Sequence, residues 1–230
     1  MGKYSALSIL LIFIFCLGCN EDNEATQTPK SFKYLALGDS YTIGQSVCET
    51  CRFPIQLQDS IKKSLPINDT FSTQIIAQTG WTTSNLKTAI TNVNLSNNFD
   101  LVTILIGVNN QYQNIPFSVY ETEFPELVAT AIQKGKGNKN NVIVVSIPDY
   151  AFTPFGNGNT NISNQIDNYN SFAENYCLTN NITFINITDI TKLGLIQPEL
   201  VASDGLHPST IAYSKFVERI LPIAKEKLGL

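Results

Sequence analysis

The chain contains a single histidine, His207, in the segment DGLH (204–207) near its C-terminal end. Far upstream, Ser40 closes the tripeptide GDS (38–40) at the end of a predicted strand. Imidazole is the side chain best suited to base catalysis near neutral pH. A serine hydroxyl becomes an effective nucleophile when such a base removes its proton. An active site that uses both groups must therefore be assembled by folding.

Short apolar runs alternate along the chain with stretches of helical spacing. The runs LVTILI and VIVVSI are continuous and rich in β-branched residues, which is typical of central parallel strands buried on both faces. Alternation of this kind predicts an α/β fold, a three-layer α/β/α sandwich with about five parallel strands in a flavodoxin-like order. The predicted strands are Tyr34–Gly38, Phe71–Gln78, Leu101–Ile106, Val142–Ile147 and Ile182–Ile187.

Five longer helices are predicted between and after these strands. Pro125 predicts a kink or a boundary in the third helix, and Pro222 predicts an interruption in the last, because proline removes a backbone donor inside a helix. The predicted helices are Phe53–Leu65, Thr83–Val93, Phe117–Lys134, Ser163–Thr179 and Ser209–Leu228.

Polar and glycine-containing turns follow the predicted strands. Ser40, Gly80 and Asn109 follow the first, second and third strands, and His207 follows the fifth after a longer loop. In parallel α/β sheets, ligands bind outside the carboxyl ends of the strands. We therefore expect these residues to meet at one edge of the sheet.

Four blocks together resemble the SGNH (GDSL) hydrolase family: GDS at 38–40, Gly80, GVN at 107–109 and DGLH at 204–207. Each block alone is common, but their order and their positions after strands also match. The resemblance covers the chain from about Tyr34 to its C-terminus.

The resemblance implies a serine esterase that hydrolyses small carboxylic esters or O-acetyl groups through an acyl-enzyme intermediate, without a metal or organic cofactor. Ser40 would be the nucleophile and His207 the base, with Asp204 orienting the imidazole. By the same resemblance, the oxyanion hole would consist of the Ser40 N–H, the Gly80 N–H and the Asn109 side-chain amide.

One position departs from the family pattern, which often has Gly-x-Asn-Asp in the third block. Here Asn110 replaces the acid. The oxyanion amide, Asn109, is kept, so the departure concerns the support that a carboxylate would give to this loop.

Loops at the same edge carry further polar and aromatic residues that we expect to shape the pocket. Trp81 could form a wall of the pocket or anchor the core. Asp39 is expected to cap a helix and order the nucleophile loop. The pocket candidates are Tyr41, Trp81, Thr82, Gln111, Tyr112, Tyr150 and Phe155.

Two other functions fit parts of the sequence. The fold could serve a non-catalytic, surface-binding lipoprotein, since a fold does not determine function. A C-x-x-C pair, Cys48 and Cys51, could alternatively be a redox dithiol, although in an exported protein we favour a structural disulfide. Zinc is poorly supplied with ligands, because only His207 and Cys177 remain, and Cys177 is expected to be a buried free thiol.

The N-terminal segment favours export. Lys3 precedes an apolar run at 6–17 that is shorter than the roughly 20 residues of a membrane span and fits a signal peptide. The run ends in CLGC (16–19), which resembles the bacterial lipobox, with Cys16 in place of the usual leucine. The resemblance implies a signal peptide at 1–18 and a lipid on Cys19, although an ordinary cleaved signal with a soluble product stays open.

Downstream of Cys19, a polar and acidic stretch predicts a flexible tether at 19–32, followed by a hydrolase domain at 33–230. The expected location is therefore membrane-tethered, in the periplasm or at the cell surface. The net charge is −4 and the 15 Lys and Arg residues are scattered, which gives no basic stripe for nucleic acid. The expected partners are a small ester or acylated carbohydrate and, through the lipid anchor, the membrane.

Overall fold

The computed structural model describes residues 1–2 and 28–230. The predicted lipidation site Cys19, the apolar run at 6–17 and most of the predicted tether lie outside the described residues. Within the described part of the chain, no helix combines the length and the apolar character needed to cross a membrane.

A five-stranded, fully parallel sheet forms the centre of the molecule, with the order β2-β1-β3-β4-β5. This confirms the predicted α/β fold with a flavodoxin-like strand order. The three middle strands are buried along their whole length or nearly so, as the continuous apolar runs require. The strands are β1 Ser31–Gly38, β2 Thr70–Ala77, β3 Leu101–Leu105, β4 Val142–Val145 and β5 Thr183–Ile185.

The first strand begins earlier than predicted. Ser31 pairs with Thr70 and Phe32 with Phe71, so these two residues of the predicted tether belong to the sheet. Phe32 is buried, with its ring 6.4 Å from that of Phe71. The burial of Phe32 at the N-terminal end of β1 therefore extends the domain beyond its predicted start at residue 33.

Helices cover both faces of the sheet and complete the three layers. The second and last helices pack against each other on one face, and the third, fifth and sixth pack on the other. The helices are α1 Ser40–Ile43, α2 Phe53–Lys62, α3 Thr83–Asn92, α4 Val108–Tyr112, α5 Phe117–Lys134, α6 Thr160–Asn180, α7 Thr188–Thr191 and α8 Thr210–Leu228.

Two internal prolines do not end their helices. Pro125 was predicted to mark a kink or a boundary, and Pro222 an interruption. Helices α5 and α8 continue through these prolines, which excludes the boundary and the interruption. Buried residues flank both prolines, among them Phe124 and Leu127 in α5. We infer that packing of the apolar helix face outweighs the missing backbone hydrogen bond, since tertiary packing supplies most helical stability.

Three short helices were not predicted, because four or five residues are too few to show a helical period. Two of them matter for function. Helix α1 starts at Ser40, two residues after the end of β1, and α4 starts at Val108, soon after β3.

The centre of the sheet contains one buried polar pair. Tyr34 on β1 and Thr103 on β3 are fully buried, and their hydroxyl oxygens lie 2.7 Å apart. One hydroxyl therefore donates to the other, which gives both buried groups a partner.

This pair predicts a non-additive double-mutant cycle. Tyr34→Phe or Thr103→Val leaves one buried hydroxyl without its partner, so each is expected to lower the free energy of unfolding by about 1–3 kcal/mol. The double variant, which removes both polar groups, should lose less than the sum of the two. Urea unfolding of the four proteins measures the cycle, and strictly additive losses would contradict it.

Candidate active site

The serine of the GDS block lies in a tight turn between β1 and α1. Ser40 is the first residue of α1 and is only 4% exposed. As predicted, Asp39 caps this helix, with its Oδ1 accepting the Tyr41 N–H at 3.0 Å. The Ser40 N–H donates no hydrogen bond within the described residues, so it is available to a ligand.

The aspartate and histidine lie in one small loop at the same edge of the sheet. An antiparallel bridge between Val201 and Pro208 closes this loop. The Ala202 N–H also donates to the His207 carbonyl at 2.7 Å. These bonds hold the loop that carries Asp204 and His207.

Four donors surround the Asp204 carboxylate. Its Oδ1 accepts the backbone N–H groups of Leu206 at 2.9 Å and His207 at 3.0 Å. Its Oδ2 lies 2.6 Å from His207 Nδ1 and accepts the Ser46 hydroxyl at 2.6 Å. Because a carboxylate only accepts, Nδ1 carries the proton and Nε2 is left as the basic nitrogen.

These contacts also fix the charge of Asp204. Burial raises its pKa, but the hydrogen bonds from Ser46, His207 and Leu206 outweigh burial and hold the pKa well below its usual range. The carboxylate is therefore ionised throughout the neutral range, as stabilisation of an imidazolium requires.

Ser46 is a site residue that sequence reasoning missed. It is an exposed residue in the loop after α1 and has a left-handed backbone, with φ +67°. A lone serine in a loop gives no sequence signal that its hydroxyl will bind a distant aspartate. Its hydroxyl shares the Asp204 Oδ2 atom with the imidazole, which places it within the hydrogen-bond network of the site.

Ser40 and His207 line the same cleft, which has a volume of about 210 Å³. No hydrogen bond joins Ser40 Oγ to His207 within the described residues, and such contacts are often long in structures without substrate. The Tyr41 ring lies 5.4 Å from the imidazole and packs beside it. The cleft is lined by Ser40, Tyr41, Thr79, Gly80, Val108, Asn109, Tyr112, Tyr150, Phe155, Leu206 and His207.

The two remaining oxyanion candidates also line this cleft. Gly80 has φ +84°, which favours glycine, and its carbonyl is held by Gln113 Nε2 at 2.9 Å. Its N–H donates no hydrogen bond within the described residues. Asn109 donates one amide hydrogen to the Trp81 carbonyl at 3.0 Å and keeps a second hydrogen to donate.

The loop that carries Asn109 is supported without the family's usual carboxylate. Asn110 is fully buried. Its Oδ1 accepts the Thr83 N–H at 2.9 Å, and its Nδ2 donates to Thr83 Oγ1 at 2.7 Å. The Asn110 amide therefore joins α4 to α3 in place of an acid.

Gly107, which caps α4 with φ +131°, approaches Tyr120 so closely that a Cβ would lie 2.6 Å from the ring.

Four of the seven predicted pocket residues line the cleft: Tyr41, Tyr112, Tyr150 and Phe155. The other three have different positions. Trp81 packs against the core, Thr82 caps α3, and Gln111 faces a neighbouring groove. For Trp81, the structure thus favours the core anchor over the pocket wall.

The cysteines lie apart from this chemistry. Cys48 and Cys51 are joined by a disulfide in the loop before α2. Among the cysteines that the structure describes, Cys177 in α6 is free; it is buried, and burial raises the pKa of its thiol to about 12. Among the described residues, no three His, Cys, Asp or Glu side chains are grouped as metal ligands.

Comparison with protein-family models assigns the chain to a family. Residues 36–215 match the GDSL-like lipase/acylhydrolase family. The chain therefore belongs to this family of hydrolases, as the four sequence blocks indicated. Comparison with curated protein sequences gives no match.

Solved structures share the fold at low sequence identity. The lipase/acylhydrolase from Enterococcus faecalis is 20% identical with a TM-score of 0.66, covering 85% of this chain and 96% of its own. Axe2, an acetylxylan esterase from Geobacillus stearothermophilus, is 18% identical with a TM-score of 0.63, covering 88% and 96%. The esterase EstA from Pseudoalteromonas sp. is 16% identical with a TM-score of 0.60, covering 86% and 99%.

The carboxyl of Asp39, next to Ser40, is fully buried and only partly satisfied. Its Oδ1 caps α1, but its Oδ2 has no hydrogen-bond partner among residues 28–230. Burial raises the pKa of Asp39 to about 7, against the opposing effect of the backbone N–H bonds. Below about pH 7 the folded protein therefore favours the protonated carboxyl.

This burial predicts a pH-dependent effect of Asp39→Asn. The folded pKa is raised above the unfolded value, so Asp39 lowers stability progressively as pH rises from about 4 to 7. Asparagine keeps the capping oxygen and stays neutral. The free energy of unfolding of Asp39→Asn, relative to the unsubstituted protein, should rise by about 2–3 kcal/mol between pH 5 and pH 8.

Urea unfolding at the two pH values measures this difference. Asp59→Asn, at an exposed carboxylate, is the control and should show a much smaller change. An Asp39→Asn effect that is the same at both pH values would contradict the prediction.

Proposed function

We propose that this hydrolase is a serine esterase that cleaves small carboxylic esters or O-acetyl groups through an acyl-enzyme intermediate. The observation that carries the proposal is that Ser40 and His207 line one cleft, with the imidazole held by the ionised Asp204. The segments that meet there lie at opposite ends of the domain.

The proposed reaction begins with attack of Ser40 Oγ on the ester carbonyl carbon. His207 Nε2 accepts the hydroxyl proton, and Asp204 stabilises the resulting imidazolium. The tetrahedral intermediate then collapses, the alcohol leaves with the proton from Nε2, and an acyl-Ser40 ester remains. Water, deprotonated by the same nitrogen, attacks this ester and releases the carboxylic acid and the free serine.

The free donors at the cleft support an oxyanion hole in this proposal. The N–H groups of Ser40 and Gly80 make no other hydrogen bond within the described residues, and Asn109 keeps one amide hydrogen. Donors that are already oriented stabilise the oxyanion without reorganisation, and each typically contributes about 3–4 kcal/mol.

The size of the cleft supports a small acyl group. Its volume of about 210 Å³ lies below the roughly 300–1,000 Å³ of typical ligand pockets. Val108, Leu206 and Phe155 give it an apolar lining, which suits a short acyl chain. A similarly folded structure, Axe2, is an acetylxylan esterase, which adds support for O-acetyl substrates.

We also propose that the domain acts as an exported lipoprotein, tethered through Cys19. Support comes from the apolar run at 6–17 and the following CLGC segment. The Cys48–Cys51 disulfide is consistent with an oxidising compartment.

The nucleophile is tested by substitution and by covalent labelling. Ser40→Ala should lower kcat for 4-nitrophenyl acetate by about 10⁴-fold or more, because the acyl-enzyme cannot form. A fluorophosphonate should label Ser40 in the unsubstituted protein, as mass spectrometry of the peptide would show. Ser118→Ala, at an exposed serine on α5, is the control. Undiminished turnover by folded Ser40→Ala would remove the proposed mechanism.

Ser46 is expected to position the triad. Ser46→Gly keeps the left-handed backbone while removing the hydroxyl that donates to Asp204, so kcat should fall about tenfold with KM little changed. Ser46→Asn, which tolerates this backbone and restores a donor, should recover part of the loss. Equal kcat values for Ser46→Gly and the unsubstituted protein would show that the hydroxyl has no such role.

A further inference from the structure

A second depression, which we call the amide groove, lies beside the cleft between the α4–α5 connection and α6. Its volume is about 370 Å³. It is lined by Gln111, Asn114, Ile115, Phe117, Gln165, Asn168 and Tyr169. None of these side chains carries a charge at neutral pH, and four of the seven are amides.

Hydrogen bonds connect the amide groove to the cleft. Tyr150, a wall of the cleft, donates its hydroxyl to Gln111 Oε1 at 2.7 Å. Gln111 Nε2 in turn donates to Gln165 Oε1 at 2.7 Å. Gln111 is 8% exposed and lies on α4, two residues after Asn109. Gln111 and Gln165 are therefore held in fixed orientations next to the proposed oxyanion hole.

The amide groove also contains polar groups without protein partners. Tyr169 is only 4% exposed, yet its hydroxyl makes no hydrogen bond within the described residues. Burial raises the pKa of Tyr169 to about 12, so the group is a neutral phenol. The side chains of Asn114 and Asn168 are exposed and make no hydrogen bond within the described residues, so their donors and acceptors face the open groove. The Tyr169 hydroxyl, on an otherwise buried residue, requires water or a ligand as its partner.

The chemistry of these groups restricts the ligand. Each amide offers a donor and an acceptor, as hydroxyl groups require. A charged headgroup would find no opposite charge in the lining, and an acyl chain would bury amides without partners, which is unfavourable. A neutral, hydroxyl-rich molecule satisfies the groups that are present, and Phe117 and Tyr169 supply apolar surface for its C–H faces.

We infer that the amide groove binds the alcohol part of the ester, and that this alcohol is a neutral carbohydrate. The inference rests on the proposed esterase function, because it assigns the half of the substrate that leaves after acylation. The acyl group occupies the small apolar cleft, and the sugar hydroxyls bind the amides beyond Tyr150.

The test compares two substrates with one acyl group. We would measure kcat/KM for partially acetylated xylo-oligosaccharides and for 4-nitrophenyl acetate, whose alcohol has no sugar hydroxyls. The quantity compared is kcat/KM for the acetylated oligosaccharides divided by kcat/KM for 4-nitrophenyl acetate. Tyr169→Phe combined with Asn168→Ala should lower this ratio about tenfold or more. Asn164→Ala is the matched control, because this exposed asparagine lies on the same helix outside the groove and makes no side-chain hydrogen bond within the described part of the chain. Its ratio should equal that of the unsubstituted protein.

Failure of the inference can be told from failure of the proposed function. Hydrolysis of 4-nitrophenyl acetate without hydrolysis of the acetylated oligosaccharides, or a ratio unmoved by the groove substitutions, overturns the carbohydrate inference alone. Hydrolysis of neither ester by the unsubstituted protein overturns the esterase function with it. Thermal melting of each variant shows that the substitutions leave the fold intact.

Discussion

The organisation of the site depends on the hydrogen bonds that the Asp204 carboxylate accepts. It joins the closed loop at 201–208 to the loop after α1, because it accepts from His207 and Ser46 on the same oxygen. The hydrogen bonds from Ser46, His207 and Leu206 keep it ionised, and its contact with Nδ1 fixes the tautomer of the imidazole. The parallel sheet is the second feature on which the organisation of the site depends. It brings the carboxyl ends of all strands to one edge, so residues separated by more than 150 positions face the same cleft.

Buried strands and chemically distinctive residues could be predicted from the sequence. The runs within β3 and β4 are buried on both faces, and no other element accommodates such runs as easily. The single histidine and its neighbouring aspartate have few alternative partners in this chain. Asp39 was predicted as a cap because an aspartate before a short turn has one common structural role.

Other features depend on contacts that no local pattern contains. Ser46 donates a hydrogen bond to an aspartate 158 residues away, and its left-handed backbone is set by the loop around it. The continuity of α5 through Pro125 reflects buried neighbours, which a local rule about proline omits. The amide groove joins Gln111 and Gln165, 54 positions apart on different helices, so neither residue is distinctive in the sequence.

The exchange of an acid for Asn110 can be understood from the direction of its hydrogen bonds. Asn110 Nδ2 donates to Thr83 Oγ1, which leaves that hydroxyl free to donate its own proton to Glu123. An aspartate at position 110 would instead require this proton and would place a second carboxylate close to Glu123. The amide thus allows Glu123 to bind Thr83 and Ser84 at the N-terminus of α3, where negative charge is favourable.

The cleft and the amide groove differ in a way that matches the two halves of an ester. In the proposed reaction, the small and largely apolar cleft would exclude water from the acyl group and strengthen the hydrogen bonds to the oxyanion. The groove is uncharged and lined by four amides, two of which have no partner within the described residues, and it would suit an alcohol that stays hydrogen-bonded throughout the reaction. Tyr150 belongs to both, since its ring faces the cleft and its hydroxyl holds Gln111. Specificity for the alcohol would then depend on hydroxyl recognition, because a site built to bind hydroxyl groups discriminates strongly against molecules that lack them.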